Sequence, residues 1–261
     1  MSGFLALEDG TVIRGDSVAA SGFAVGEAVF TTAMTGYQEV VTDPSFAEQL
    51  VCFTAPMVGN YGVADGRSES SAVHARAVIM REARGPAWTD WLHERGVVAL
   101  SGIDTRSLVL KLRSAGAMRA VAVTGDSSVA QAVDVARRHP PMAGRPLARD
   151  VGTRRPYVYA DVGRVRLAVV DYGCKRSILR RLVAAGAAVT VFPNDVDSSE
   201  LLRYDGVVPR ELVRRRGRRD DRHGRTGLRE PPDDRPLAPE VDDGYAEAAG
   251  RRDGVRLPAR D

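Results

Sequence analysis

Apolar periodicity organises the first 208 residues of this chain and then stops, so any packed fold has to be built before Pro209. The remainder begins PRELVRRRGRRDDRHGRTGLREPPDDRP and is dominated by charges, Pro and Gly. Such a segment buries too little apolar surface to offset the entropy of ordering it, which predicts disorder for residues 209–261. From Val208 onward fourteen Arg face eight Asp and four Glu, so +2 of the formal +3 belongs to this tail. The body is close to neutral. A basic nucleic-acid face is therefore not expected there, despite a pI near 9.1.

Ahead of the break, VRLAVVDYG at 165–173 is a nearly continuous apolar run closed by Gly, as expected for a strand buried on both faces. The following KRSILRRLVAAG places Ile178, Leu179, Leu182 and Val183 on one helical face, and a second strand starts at Ala188. A short helix at Ser198–Tyr204 and a third strand at Gly206–Val208 would continue a doubly wound parallel sheet. The expected fold class is α/β.

Residues 1–150 mix the two periods. Strand-like runs occupy Thr11–Arg14, Ala28–Thr32, Leu50–Thr54 and Ala77–Met80, and helical patterns occupy Ala87–Arg95, Thr105–Ala115 and Val129–Arg138. The helix over 105–115 rests on Leu108, Leu110 and Leu112 alternating with Lys111 and Arg113, with Asp104 as N-cap; Pro140-Pro141 stops the one after it. Between Met34 and Gly62, Gly36, Asp43-Pro44-Ser45 and the Pro56/Gly59/Asn60/Gly62 cluster punctuate short Val-, Phe- and Leu-rich runs, which predicts strands joined by tight turns. Thr153–Gly163 reads as part of a linker over 151–164, separating domain 1–150 from domain 165–208.

Two cysteines far apart, Cys52 and Cys174, support neither a disulfide framework nor a zinc site, and they suit a reducing cytoplasm. Cys52, between Val51 and Phe53, reads as core. Cys174 follows a strand and opens a helix, where the dipole would lower a thiol pKa, yet no His follows it in patterned sequence. His74 beside a strand reads as a structural group. His93, His139 and His223 have no partner at metal-ligand spacing, so no metal site and no catalytic residue is assigned. Ser45, after Asp43-Pro44, has the residue types of a turn-stabilising Asx or ST motif. No apolar run approaches the ~20 residues of a membrane span, and Glu8 and Asp9 stand where a secretory signal would be basic.

The ordered blocks LEDGTVIRG (7–15), GEAVFTTAMTGYQE, ESSAVHARAVIMRE and SGIDTRSLVLKLRSAGAMRA (ending at Ala120) resemble the N-terminal domain of the small, glutamine-hydrolysing chain of carbamoyl phosphate synthase. The segment from 165 resembles the opening of the class I glutamine amidotransferase domain that follows it in that family. The resemblance implies a swivelling-type β/β/α first domain and then the first β-α-β part of the amidotransferase sheet. It implies that Ser45 contacts L-glutamine, and that DYGCKRSILRRL holds a structural turn at Cys174 rather than a nucleophile. It also implies a large-chain partner that carries ATP and Mg and receives ammonia, with no cofactor on this chain. The family's LSNGPGDP-like turn, G-x-C-x-G nucleophile and later His and Glu have no counterpart after Val208. With two Lys against thirty-five Arg, the coding reads as GC-rich, and a reading frame lost near Val208 explains the tail; a genuine Arg-rich disordered tail is the alternative.

Overall fold

Side chains alternate across each N-terminal strand, and the strands close on themselves to bury one of the two faces. A computed structural model describes residues 1–125 and 127–209. The chain enters through β1 (Ser2–Leu7), β2 (Val12–Ser17) and β3 (Phe23–Thr31), then a helix α1 (Tyr37–Thr42) and a single 3-10 turn at Pro44–Phe46. Next come β4 (Gln49–Phe53), β5 (Met57–Val58), β6 (Ala77–Ile79), β7 (Glu82–Ala83), α2 (Pro86–Glu94) and β8 (Val98–Ser101). Helix α3 (Thr105–Ala115), β9 (Met118–Thr124), α4 (Val129–Arg138) and α5 (Leu147–Val151) complete this part.

The strand order β1-β2-β8-β6-β4-β3-β9 is a closed barrel, sealed where β9 pairs antiparallel with β1 from Gly3↔Thr124 to Leu7↔Ala120. One wall, β3-β4-β6-β8, is parallel; the other, through β2, β1 and β9, is antiparallel. Leu5, Leu7, Leu50, Cys52, Ile79, Leu100 and Ala120 converge in one cluster, joined by Leu108 and Leu112 of α3. Residues one step out of phase pack outward: Phe4, Ala6, Val121 and Val123 under α4, and Val51, Phe53, Val78 and Ala99 under α1 and α2. The mixed α/β character agrees with the sequence reading. Closure of the two β layers into one barrel goes beyond it.

The second sheet has the order β10-β12-β11-β13, formed by β10 (Tyr157–Ala160), β11 (Val165–Asp171), β12 (Ala187–Pro193) and β13 (Gly206–Pro209). β11 pairs parallel with both β12 and β13, as the expected β-α-β pattern requires. Helix α6 (Arg176–Ala184) lays Leu179, Leu182 and Val183 on Val169, Val189 and Val191, and α7 (Ser198–Leu201) precedes β13.

Three expectations are corrected. The stretch 151–164 is not a structureless linker: β10 lies within it and pairs antiparallel with β12, because Tyr157 and Val158 meet Val191 and Thr190 there. Tyr37–Thr42 is helical rather than extended, with Tyr37, Gln38, Val41 and Thr42 buried at helical spacing and the Thr42 hydroxyl donating to the Gln38 carbonyl at 2.7 Å. Tertiary burial overrides the β propensity of Val40-Val41-Thr42. On α3, Leu110 is 47% exposed while Leu108 and Leu112 are buried, since positions two apart cannot share a helical face. Residues 209–261 were expected to be disordered; apart from Pro209, which ends β13, they lie outside the described residues.

Candidate functional site

Ser45 stands on a turn that its own neighbours build. Asp43 caps the 3-10 turn by accepting the Ser45 N–H on Oδ1 at 2.9 Å, and Pro44 supplies the preset φ of a first helical position. Pro44 is buried and Ser45 exposed. At the exit, Glu48 takes a left-handed backbone (φ 63), and its carbonyl accepts the Glu27 N–H at 3.1 Å. Its carboxylate binds Arg76 and, at 3.2 Å, Arg145. Burial opposes ionisation of Glu48, but those guanidinium groups outweigh it and hold the carboxyl below its usual range. At the entry, α1 is anchored by Tyr37, which stacks on Tyr61 and donates its hydroxyl to the Gly62 carbonyl at 2.6 Å; burial pushes that phenol up to about 12.

The turn lies where the barrel meets the second sheet. Asp43 Oδ2 reaches Lys175 Nζ at 3.0 Å. Opposite, Asp171 at the end of β11 folds the β11–α6 turn around its carboxylate: Oδ1 accepts from the N–H groups of Gly173 (2.8 Å) and Cys174 (2.6 Å), and Oδ2 from Thr153 N–H (2.7 Å). A third wall is the loop before β6. There the Ser70 hydroxyl donates to the Thr42 carbonyl at 2.8 Å and lies 3.0 Å from His74 Nε2. Together these elements line a half-open cavity of about 450 Å³ whose polar lining includes Glu69, Ser70, His74, Asp171, Cys174 and Arg176.

Sequence reasoning placed Ser45 on a turn, and the turn's hydrogen bonds are those of an Asx motif. Cys174 is in the turn before α6, half-buried, with its thiol 3.7 Å from the Lys175 carbonyl. Cys52 is wholly buried in β4, and burial pushes its thiol up to about 12, so it stays protonated and unavailable as a nucleophile. His93 is in the last turn of α2, and His139 caps the end of α4. His223 lies outside the described residues. Among the described residues no cluster of three or more His, Cys, Asp or Glu is placed to hold a metal ion, and no helix is long and apolar enough to cross a membrane. Glu69 and Lys175, which reach across the junction, escaped the sequence reading. Their partners are 108 and 132 residues away, and no local pattern marks such contacts.

The two histidines make the fold sensitive to mild acid. Burial lowers His74 below its ordinary 6.5, with Asp43 pulling the other way, and burial likewise leads the lowering of His139, whose Nε2 is buried with no hydrogen-bond partner among the described residues. The unfolded chain then binds more protons than the folded one near pH 6.5. Stability is complete above that pH and falls as pH drops through and below it, by at most ~1.4 kcal/mol per pH unit for each proton. Glu8, held low by Arg119 against its burial, and Glu48 act only below their ordinary 4.5, outside this window. Melts between about pH 7.5 and 5.5 should show the decline, and His74→Gln should flatten its share of it. A slope left unchanged by His74→Gln and by His139→Gln would contradict the assignment.

A closed mixed barrel followed by the start of a parallel α/β sheet, with a hydroxyl-bearing turn at their junction, defines a two-part mixed α/β protein with a polar cavity between its parts. Residues 5–122 match the family model described as the carbamoyl-phosphate synthase small chain, CPSase domain. The carbamoyl phosphate synthase small chain of Parasynechococcus marenigrum is 42% identical over 222 residues, covering 77% of this chain and 58% of that protein. The protein of the same name from Xanthomonas campestris pv. campestris is 42% identical over 227 residues (78% and 60%). That from Escherichia coli is 36% identical over 233 (79% and 61%). The chain thus spans about three fifths of the length of the curated relatives it matches.

Proposed function

We propose that the chain acts as the small subunit of a glutamine-dependent carbamoyl phosphate synthase, the subunit that hydrolyses glutamine and delivers ammonia to a large chain. The large chain would carry ATP, Mg and bicarbonate chemistry in the cytoplasm, in the service of arginine and pyrimidine synthesis. The observation that carries this reading is the Asp43-Pro44-Ser45 turn, presented by a small-chain barrel at the mouth of a sheet whose β11–α6 turn faces it. On this reading the Ser45 hydroxyl bonds the amino-acid end of L-glutamine. The barrel's role is to dock on the large chain as well as to present Ser45.

A second reading is favoured by the cysteines: a noncatalytic module that binds the large chain. Amide hydrolysis by this family needs an activated thiolate, and Cys52 is buried and protonated while Cys174 belongs to a structural turn. The chain as it stands is therefore expected to show no glutaminase activity, and Cys174→Ser to change nothing catalytic. Activity lost on that substitution would overturn the assignment.

The glutamine contact is tested in this chain joined to the remaining amidotransferase sequence of a relative. Ser45→Ala should weaken glutamine use by roughly 0.5–1.5 kcal/mol for a neutral bond, or ~1.5–3 if the partner group is charged. Ammonia-dependent synthesis, which bypasses the glutamine site, should be unchanged. Equal loss with both substrates would mean that Ser45 only shapes the turn.

A further inference from the structure

Helix α6 does not cap itself. Its N-cap residue is Lys175, whose side chain makes no capping hydrogen bond, and its first turn has no acidic residue to complement the helix dipole. The missing acceptors come from the barrel: the Glu69 carboxylate accepts the Ser177 N–H on Oε2 at 2.8 Å, and the Glu69 carbonyl accepts the Arg176 N–H at 2.8 Å. One residue thus satisfies two of the helix's orphan donors from outside, and its charge sits on the positive end of the dipole.

Glu69 is tied to the Ser45 turn on its other side. Its own N–H donates to the Thr42 hydroxyl at 2.9 Å, and Thr42 directly precedes Asp43. Two further contacts cross the same junction. Asp43 pairs with Lys175, and Pro44 packs so closely on Gly173 that a Cβ there would lie 2.9 Å from the Pro44 Cβ. Arg180 on α6 also donates to the Gly66 carbonyl at 2.9 Å.

We infer that Glu69 is a positioning residue: as the cap of α6 supplied from the barrel, it holds the β11–α6 turn at a fixed distance from the Ser45 turn and so sets the width of the cavity between them. The functional consequence rests on the proposed glutamine contact of Ser45; the positioning does not, and its test needs no glutamine. Asp at 69 is one methylene too short to reach Ser177 N–H from the same backbone, whereas Gln keeps an acceptor oxygen at full reach and loses only the charge.

The test uses the full chain and two readouts. Amide hydrogen exchange at Ser177, whose N–H bonds the Glu69 side chain, should accelerate about tenfold in Glu69→Ala, the free-energy scale of a lost cap, with barrel amides unchanged. Cys174, next to the helix start, should react several-fold faster with a thiol reagent, while Cys52 in the barrel interior stays silent. Glu69→Gln should restore most of the protection, and Glu69→Asp should resemble Ala. The inference is overturned if Glu69→Ala leaves α6 exchange and Cys174 reactivity at wild-type values. It is equally overturned if Cys52 becomes reactive in step with Cys174 and Gln gives no rescue, since Glu69 would then only support the fold as a whole. Loss of the Ser45 reading alone, seen as equal glutamine and ammonia effects, would leave both of these readouts standing.

Discussion

Asp171→Ala is expected to lower the stability of the chain by about 3–5 kcal/mol, the largest single effect at the junction. Asp171 is 8% exposed, and its carboxylate accepts three backbone N–H groups, from Thr153, Gly173 and Cys174. Hydrogen bonds to a charged acceptor contribute ~1.5–3 kcal/mol each and orphaned buried donors cost ~1–3, but three donors sharing one acceptor do not add fully. Asp171→Asn keeps one acceptor oxygen for the Gly173–Cys174 side and turns an NH₂ group toward Thr153, so it should recover only part of the loss. Urea melts check this: the midpoint should fall with the m-value unchanged. A shift within the range of surface substitutions would show that the turn is held by something other than Asp171.

Gly173→Ala should cost about 2–4 kcal/mol, from two sources. The backbone has φ +98, where an L side chain is strained by ~1–3 kcal/mol. The added Cβ would also meet Val151 Cγ2 at 2.8 Å and Pro44 Cβ at 2.9 Å, so either the barrel turn or α5 has to move. Gly186→Ala separates the two costs. Its φ is +91 with nothing within 4 Å of the new methyl, so it should carry the strain alone. Similar losses at the two positions would mean that the close approach of Pro44 to Gly173 contributes nothing.

The elements legible in the sequence are those whose signals are local. Val129–Arg138 is bounded by the Ser128 cap and the Pro140-Pro141 stop, and β11–α6–β12 announces itself by a continuous apolar run followed by an amphipathic one. Of the barrel strands, those missed are β1, β8 and β9, short runs such as VALS and MRAVAVT whose type periodicity alone leaves ambiguous. Their identity is decided by pairing at long range, as when Gly3 meets Thr124, and barrel closure follows from those pairings rather than from any one segment. The site divides in the same way. The Asp43–Ser45 turn is a contact between residues two apart and can be read from Asp-Pro-Ser. The Glu69 bond to Ser177 spans 108 residues, and only the assembled junction reveals it.

The proposed role, that of a small subunit acting with a large synthetase chain, can be checked by sedimentation of the purified chain with a purified large chain. The expected result is saturable co-sedimentation, with the large chain's ammonia-dependent carbamoyl phosphate synthesis retained and no glutamine-dependent synthesis conferred. A chain that unfolds cooperatively, and is therefore folded, yet sediments independently of the large chain at excess would contradict it.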